Sequence, residues 1–353
     1  MSSANEQSTS TNPGKRTVSI ALLVADTPPE DVVAAKGDYH RIYTSFLTRS
    51  LSTIRRHRWQ ERIELDVRPF DVVHAQHYPT DGQLADGLWD AILITGSATS
   101  VCDASSTPWM GKLLDFVRHV AEDHPLVRIL GVCWGHQAVA RAFGGEVEQN
   151  EAGGWELGVY DCELNEEGEE VWGFTKWDLE EERGSAGGAL KMVDEEQDEG
   201  APKKLRIQQV HKDHVTALPE DLNGTPFLNL CSTSATPIQS LCLRYPTDSP
   251  PMPSVAQTSQ FIAFDTFTPP TSSGPSPPRG CQILTLQGHP EFDREIVELL
   301  IKGKATAMGA VPAGMVEEAL QRAAREDDAM KIGRRIWAML GVEEGREEGG
   351  ESM

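Results

Sequence analysis

Ile129-Leu130-Gly131-Val132-Cys133-Trp134-Gly135-His136-Gln137 is the stretch on which the reading of this chain turns. An apolar run over residues 127–132 ends in Gly-x-Cys-x-Gly, after which Ala138, Val139, Ala142 and Phe143 recur at helical spacing until Gly144-Gly145 stops them. The pattern predicts a strand, a sharp turn and a helix. Such a turn holds its central residue in a strained backbone conformation. The positions two before and two after it therefore need minimal side chains, which Gly131 and Gly135 supply. Cys133 would then sit exposed at the tip, facing a helix N-terminus whose unpaired N–H groups and dipole favour an anion. The same spelling can also surround a buried structural cysteine on an ordinary strand-to-helix turn.

Outward from this point, strand and helix alternate. Residues 17–24, 63–69 and 88–97 read as strands. Residues 38–54 read as a helix with Tyr43, Phe46, Leu47 and Ile54 on one side, and Thr107-Pro108 reads as an N-cap with proline at the first helical position. Alternation of this kind predicts a parallel sheet covered by helices on both faces. After Gly145, strands are expected at 155–160, 205–210 and 281–287, with 227–230 and 238–245 as a pair. Helices follow around Ile296, Leu299 and Leu300, and around Ile332, Ile336 and Leu340, with Gly341 as the stop.

At 353 residues and 39% hydrophobic content the chain can bury a substantial core. Of the 22 excess negative charges, ten fall in residues 165–200 and four in 342–353, so the body is only mildly acidic. That distribution argues against nucleic acid or an anionic membrane as partner. No apolar run approaches the roughly 18 residues of a membrane span, and residues 1–16 lack an apolar signal core. The expectation is a soluble, cytoplasmic protein. The six cysteines show neither Cys-x-x-Cys nor His/Cys ligand spacing, so neither a metal site nor a disulfide framework is expected. The expected organisation is a disordered arm at 1–16, one domain over 17–341 and an acidic tail at 342–353. Within the domain, insertions are expected at about 165–200 (acidic, with Trp172, Phe174 and Trp177) and 246–280. The second insertion holds nine prolines.

A cysteine nucleophile needs a base, and the base needs an orienting acceptor. His289 and Glu291 fit, two apart at a strand end with Pro290 between them, although a strand-end histidine beside a helix-starting glutamate would read the same way. An oxyanion would need two donors: the N–H of Trp134 and one from the Thr95-Gly96-Ser97 turn, at Gly96.

With GVCWGHQ at the nucleophile, QGHPEF at the base and the ITGS turn, all in order over roughly residues 17–303, the chain resembles the class I glutamine amidotransferase family. The resemblance implies an α/β, flavodoxin-like three-layer sandwich with a mostly parallel central sheet and a nucleophile elbow. It also implies a Cys133-His289-Glu291 triad that cleaves a γ-glutamyl amide bond through a thioester, with glutamine or a γ-glutamyl small molecule as substrate and no cofactor. Gln137 would line the substrate pocket, and His211 and Asp213 resemble the His-x-Asp segment of GMP synthases. The oxyanion turn departs from the family's Gly-Gly-Pro. No Gly-x-x-x-x-Gly-Lys or Ser-Gly-Gly nucleotide loop occurs, so any synthetase would be a separate subunit. Three other readings compete: a γ-glutamyl peptidase on glutathione-type compounds, a non-catalytic binding or regulatory protein on the same fold, and a flavodoxin-like cysteine protein of the intracellular-protease and chaperone type. The His289/Glu291 pairing disfavours the last.

The composition of the Pro-rich insertion buries little apolar surface. Replacing residues 247–279 by a short Gly/Ser link is therefore expected to leave the thermal midpoint nearly unchanged; a large drop would place Phe261-Ile262-Ala263-Phe264 in the core.

Overall fold

The apolar runs read from the sequence form the middle of one large sheet. The computed structural model describes residues 15–55, 62–102, 107–150, 154–173, 203–246, 280–307, 311 and 313–342. In chain order its strands are β1 (Lys15–Val24), β2 (Arg62–Asp71), β3 (Ala91–Ile94), β4 (Arg128–Val132), β5 (Glu146–Gln149), β6 (Glu156–Leu164), β7 (Lys204–His211), β8 (Asp213–Ala217), β9 (Phe227–Ser232), β10 (Ser240–Arg244) and β11 (Cys281–Leu286). Nine of them form a sheet in the order β2-β1-β3-β4-β11-β10-β9-β6-β7, while β5 and β8 pair separately. The first five run parallel. From β11 to β7 each neighbour is antiparallel, so the expected pairing of 227–230 with 238–245 is met by β9 and β10.

Every residue of β3, β4 and β11 is buried, as expected of strands covered on both faces. The helices among the described residues are α1 (Glu30–Lys36), α2 (Tyr39–Thr53), α3 (Asp81–Ala85), α4 (Pro108–Asp123), α5 (Trp134–Ala142), α6 (Glu166–Trp172), α7 (Arg294–Ala307), α8 (Ala313–Ala323) and α9 (Ala329–Met339). Alternate strand residues enter two separate cores. Ile20, Leu22, Leu130 and Leu284 pack with Tyr43 and Phe46 of α2 and Ile336 and Trp337 of α9. Ala21, Leu23, Ile129 and Ile283 pack with Leu113 and Val117 of α4 and Ala138 of α5. The result is the three-layer α/β sandwich.

Several element boundaries differ from the sequence reading. β1 begins at Lys15, inside the expected arm, because Arg16 is buried and donates to the carbonyls of Leu340 (2.7 Å) and Gly341 (3.0 Å) at the end of α9. Thr107 precedes α4 but makes no side-chain cap bond; Asp38 does cap α2, accepting from the N–H of Arg41. The acidic insertion expected at about 165–200 begins as packed structure. Asn165 caps α6, and Val171 and Trp172 are buried, with the indole N–H of Trp172 donating to Ser240 Oγ at 3.0 Å. The rest of that segment, the arm before Lys15, the tail after Val342 and residues 247–279 lie outside the described residues. The strand ends that flank the Pro-rich stretch are joined at its neck, where the N–H of Tyr245 donates to the carbonyl of Gly280 at 2.5 Å.

The turn between β4 and α5 is the strained elbow that the glycine spacing predicts. Cys133 has φ 52° and ψ −104°, in the region that L-residues rarely occupy. A Cβ on Gly135 would lie 2.4 Å from the carbonyl oxygen of Ile94, and one on Gly131 would lie 2.7 Å from the carbonyl oxygen of Gly135. His136, one turn along, is buried between Thr285 Oγ1 (2.7 Å from Nδ1) and the carbonyl of Ile238 (3.2 Å from Nε2). Burial pushes its pKa down to about 3, so the ring is neutral, with Nε2–H donating to the carbonyl and Nδ1 accepting from the hydroxyl.

Gly135→Ala is therefore expected to cost about 3 kcal/mol or more, since backbone must move to admit one methyl. Gly111 in α4 has nothing within 4 Å of a built Cβ, so Gly111→Ala should be neutral or stabilising by up to about 1 kcal/mol. Denaturant melts of the two variants test this; equal effects would mean that the elbow can relax.

Candidate active site

Three neighbouring parallel strands, β3, β4 and β11, end at one place, and each delivers a residue there. The N–H of Cys133 donates to the carbonyl of Leu286 at 2.8 Å, which ties the elbow to the end of β11. From that end the chain runs through Gln287 and Gly288 to His289, whose own N–H donates to the carbonyl of Gln208 on β7 at 2.8 Å. Gly288 allows the crossing, because a Cβ there would lie 2.8 Å from Ile207 Cγ1 and 2.9 Å from the Gln208 oxygen.

His289 is clamped on several sides. Its Nδ1 lies 2.8 Å from Glu291 Oε1, and the ring of Phe292 stacks on it with centroids 4.1 Å apart and 4° between planes. A Cβ on Gly96 would press on His289 Cε1 at 3.0 Å and meet Cys133 Cβ in an ordinary contact at 3.7 Å, so a side chain here would push on the imidazole. An ionised carboxylate only accepts, so Nδ1 carries a proton and Nε2 is left for Cys133. Tyr43 Oη donates to the same Glu291 oxygen at 3.0 Å. Burial, reinforced by the charge of Glu291, holds the Tyr43 phenol well above its ordinary pKa, so it remains a donor. Burial alone would lower the pKa of His289. The charges of Cys133 and Glu291 and the hydrogen bonds to both outweigh it and raise the value to about 10.

Cys133 is only 6% exposed, where an exposed tip was expected; it opens on a cavity of about 350 Å³. The turn after β3 forms part of the rim. It is organised by Asp26, whose carboxylate accepts from the N–H of Ala98 at 2.7 Å and the hydroxyl of Ser97 at 3.3 Å. Trp134 opens α5 with its ring packed on Trp109 at 5.3 Å; at the first helical position its N–H has no intrahelical acceptor.

Gln137, His211 and Asp213 are not among the residues lining this cavity. Gln137 stands one helical turn behind Cys133, where its Nε2 donates to the carbonyl of Asp213 (2.8 Å) and to Gln287 Oε1 (3.1 Å). His211 is held between the Asp213 carbonyl (3.0 Å) and Glu156 Oε2 (2.9 Å), and the Asp213 carboxylate accepts from Ser100 Oγ at 2.5 Å. The three form a polar layer behind the nucleophile strand. Tyr43 and Asp26, by contrast, belong to the site and went unread in the sequence; the one signal for Tyr43 is that a tyrosine on an apolar helix face needs a partner for its hydroxyl. Among the described residues one group could hold a metal ion, Asp81, His119 and His124, on α3 and at the end of α4. Both ring nitrogens of His119 already face carboxylates, Asp81 at 2.9 Å and Asp123 at 2.8 Å.

Residues 48–229 match the family model described as glutamine amidotransferase class-I, a span that includes Cys133 and ends before His289. A glutamine amidotransferase-like protein of Schizosaccharomyces pombe is 28% identical over 286 residues, 80% of this chain and 83% of that one. Gamma-glutamyl peptidase 4 of Arabidopsis thaliana is 26% identical over 200 residues, 57% of this chain and 62% of the other. Among solved structures, a glutamine amidotransferase from Thermotoga maritima superposes with a TM-score of 0.53 at 14% identity, covering 92% of this chain and 99% of that one.

Because its pKa is raised from 6.5 to about 10, the stabilisation that His289 contributes is fully present below about pH 6.5 and lost as pH rises through about 10. In Cys133→Ala one of the two sustaining charges is gone, and the His289 pKa is expected to fall, as read from imidazole chemical shifts. An unchanged titration would mean that Cys133 and His289 are not electrostatically coupled.

Proposed function

Since the chain belongs to the class I glutamine amidotransferase family, we propose that it is a cysteine-dependent hydrolase of γ-glutamyl amide bonds, with Cys133 as nucleophile, His289 as acid and base and Glu291 as the orienting carboxylate. The observation that carries this reading is the convergence of a strained elbow cysteine and a His–Glu pair at 2.8 Å on one cavity. The Cys133 thiolate attacks the γ-carbonyl carbon, and the carbonyl π electrons move to oxygen. The N–H groups of Gly96 and Trp134 are the donors we assign to that oxyanion, which they serve if they stand about 2.7–3.1 Å from it. Collapse breaks the C–N bond while the imidazolium gives its proton to the leaving nitrogen, and a γ-glutamyl thioester remains. A water molecule then passes a proton to His289 and attacks the thioester, releasing glutamate and restoring the thiolate. Throughout, Glu291 stays ionised against Nδ1–H. Tyr43 and Phe292 hold the carboxylate and the imidazole plane in place.

Two readings of the physiological role fit this chemistry. A glutaminase subunit would hand ammonia to a separate synthetase. A γ-glutamyl peptidase would use water as acceptor and release an amino acid or peptide. The similarity to Gamma-glutamyl peptidase 4 favours the second.

A γ-glutamyl-mimicking electrophile is expected to label Cys133 alone of the six cysteines, as read by peptide mapping; stoichiometric labelling elsewhere with Cys133 untouched would sink the assignment. In kinetics, His289→Ala should lower kcat by about four orders of magnitude or more, and Glu291→Gln by one or two orders less, because it removes orientation and not the base. Tyr43→Phe removes one hydrogen bond worth about 1 kcal/mol and should cost about fivefold. Near-normal turnover by His289→Ala would overturn the mechanism.

A further inference from the structure

The leaving group must depart past His289, which protonates it, so the wall beside the imidazole is the wall the leaving group touches. That wall has a distinct character. Phe292 covers the imidazole, Leu299 and Leu300 follow on α7, and Lys304 closes the row. The Lys304 ammonium lies over the ring of Trp155, 4.4 Å from its centroid, and no carboxylate among the described residues forms an ion pair with it. Two carboxylates line the same cavity, Asp26 just after β1 and Asp31 on α1, and neither forms an ion pair with Lys304, although the charge of Asp26 favours the ammonium. Burial, the largest influence on Lys304, disfavours its charged form and outweighs the opposing charges of Cys133 and Asp26, so a partly desolvated ammonium stands next to apolar surface with no carboxylate among the described residues in ion-pair contact with it.

We propose that Lys304 binds the terminal carboxylate of the leaving group, so that the substrate is a γ-glutamyl peptide with a free C-terminus. This rests on the γ-glutamyl hydrolase reading above. A substrate of this class places its scissile amide at Cys133, lays the body of the leaving residue along Phe292, Leu299 and Leu300, and ends in an anion that Lys304 meets. Glutamine, whose leaving group is ammonia, uses none of this wall. Lys304 is thus a specificity residue and takes no proton in the reaction.

The test compares one γ-glutamyl dipeptide with its C-terminal amide, which differ only in the charge that Lys304 is said to read. The wild type should show a KM at least about tenfold lower for the free acid. In Lys304→Met that ratio should collapse towards one with kcat changed little, and Lys304→Arg should restore most of it, a tenfold ratio corresponding to about 1.4 kcal/mol. Binding of the same two peptides to Cys133→Ala, with and without Lys304→Met, is measured by calorimetry as a readout that needs no turnover. Equal KM and Kd ratios in wild type and Lys304→Met would overturn the assignment even if both peptides are hydrolysed. A Lys304-dependent preference in binding, with no hydrolysis by the wild type, would uphold the carboxylate site and overturn the hydrolase reading.

Discussion

The site stands on one close approach: the first turn of α5 lies against the carbonyl of Ile94, at a distance that admits glycine at position 135 and nothing larger. With that contact the ends of β3, β4 and β11 meet, and Gly96, Cys133 and His289 come from three adjacent strands. Each strand leaves the sheet at its carboxyl end, where open α/β sheets present their ligand crevices. The N–H of Cys133 is bonded to the carbonyl of Leu286, so the strained φ of 52° is held in part by the end of β11.

Around this corner the protein buries charge in layers. Glu291 is nearly inaccessible and gains the His289 imidazole and the Tyr43 hydroxyl as partners. A second buried carboxylate, Glu156, accepts from Thr233, Thr236 and Gln239 and lies beside His211; burial would raise its pKa, but His211 first, and then the bonds from Thr233 and Thr236, hold it below the ordinary value. Gln137 joins the two layers through Gln287 and the backbone of Asp213. The hydrogen bonds made here favour one arrangement, since breaking one leaves a buried group unpaired at a cost of about 1–3 kcal/mol.

Much of this was legible in the sequence, for local reasons. β1, β4 and β11 are built on apolar stretches (residues 20–24, 129–132 and 283–286, the last broken by Thr285), and the elbow announces itself by two glycines at fixed offsets from a cysteine. His289 and Glu291 share a strand end, so their proximity needs no tertiary knowledge. The helices α1, α3 and α6 are five to seven residues long and leave no periodic signature, while α6 was hidden by its own acidic surface. Tyr43 reads as core because its partner is 248 positions away. Gln137, His211 and Asp213 were expected at the cavity, but which way a side chain turns one helical step behind the nucleophile is decided by neighbours brought in by β7 and β8. Lys304 carries no sequence signal, since a lysine on a helix reads as solvated surface.

The neck at Tyr245 and Gly280 has a consequence for the family of chains that could share this site. β10 and β11 are antiparallel neighbours, so the stretch between them begins and ends at a point already closed by a backbone hydrogen bond. Closing such a connection costs an entropy that grows only with the logarithm of its length, about 0.6 kcal/mol for each doubling. On the expectation that the Pro-rich stretch buries little, residues gained or lost here would cost little beyond this closure term, and β11 would still arrive beside β4 in the same register, although the stretch lies between the two halves of the site in the chain.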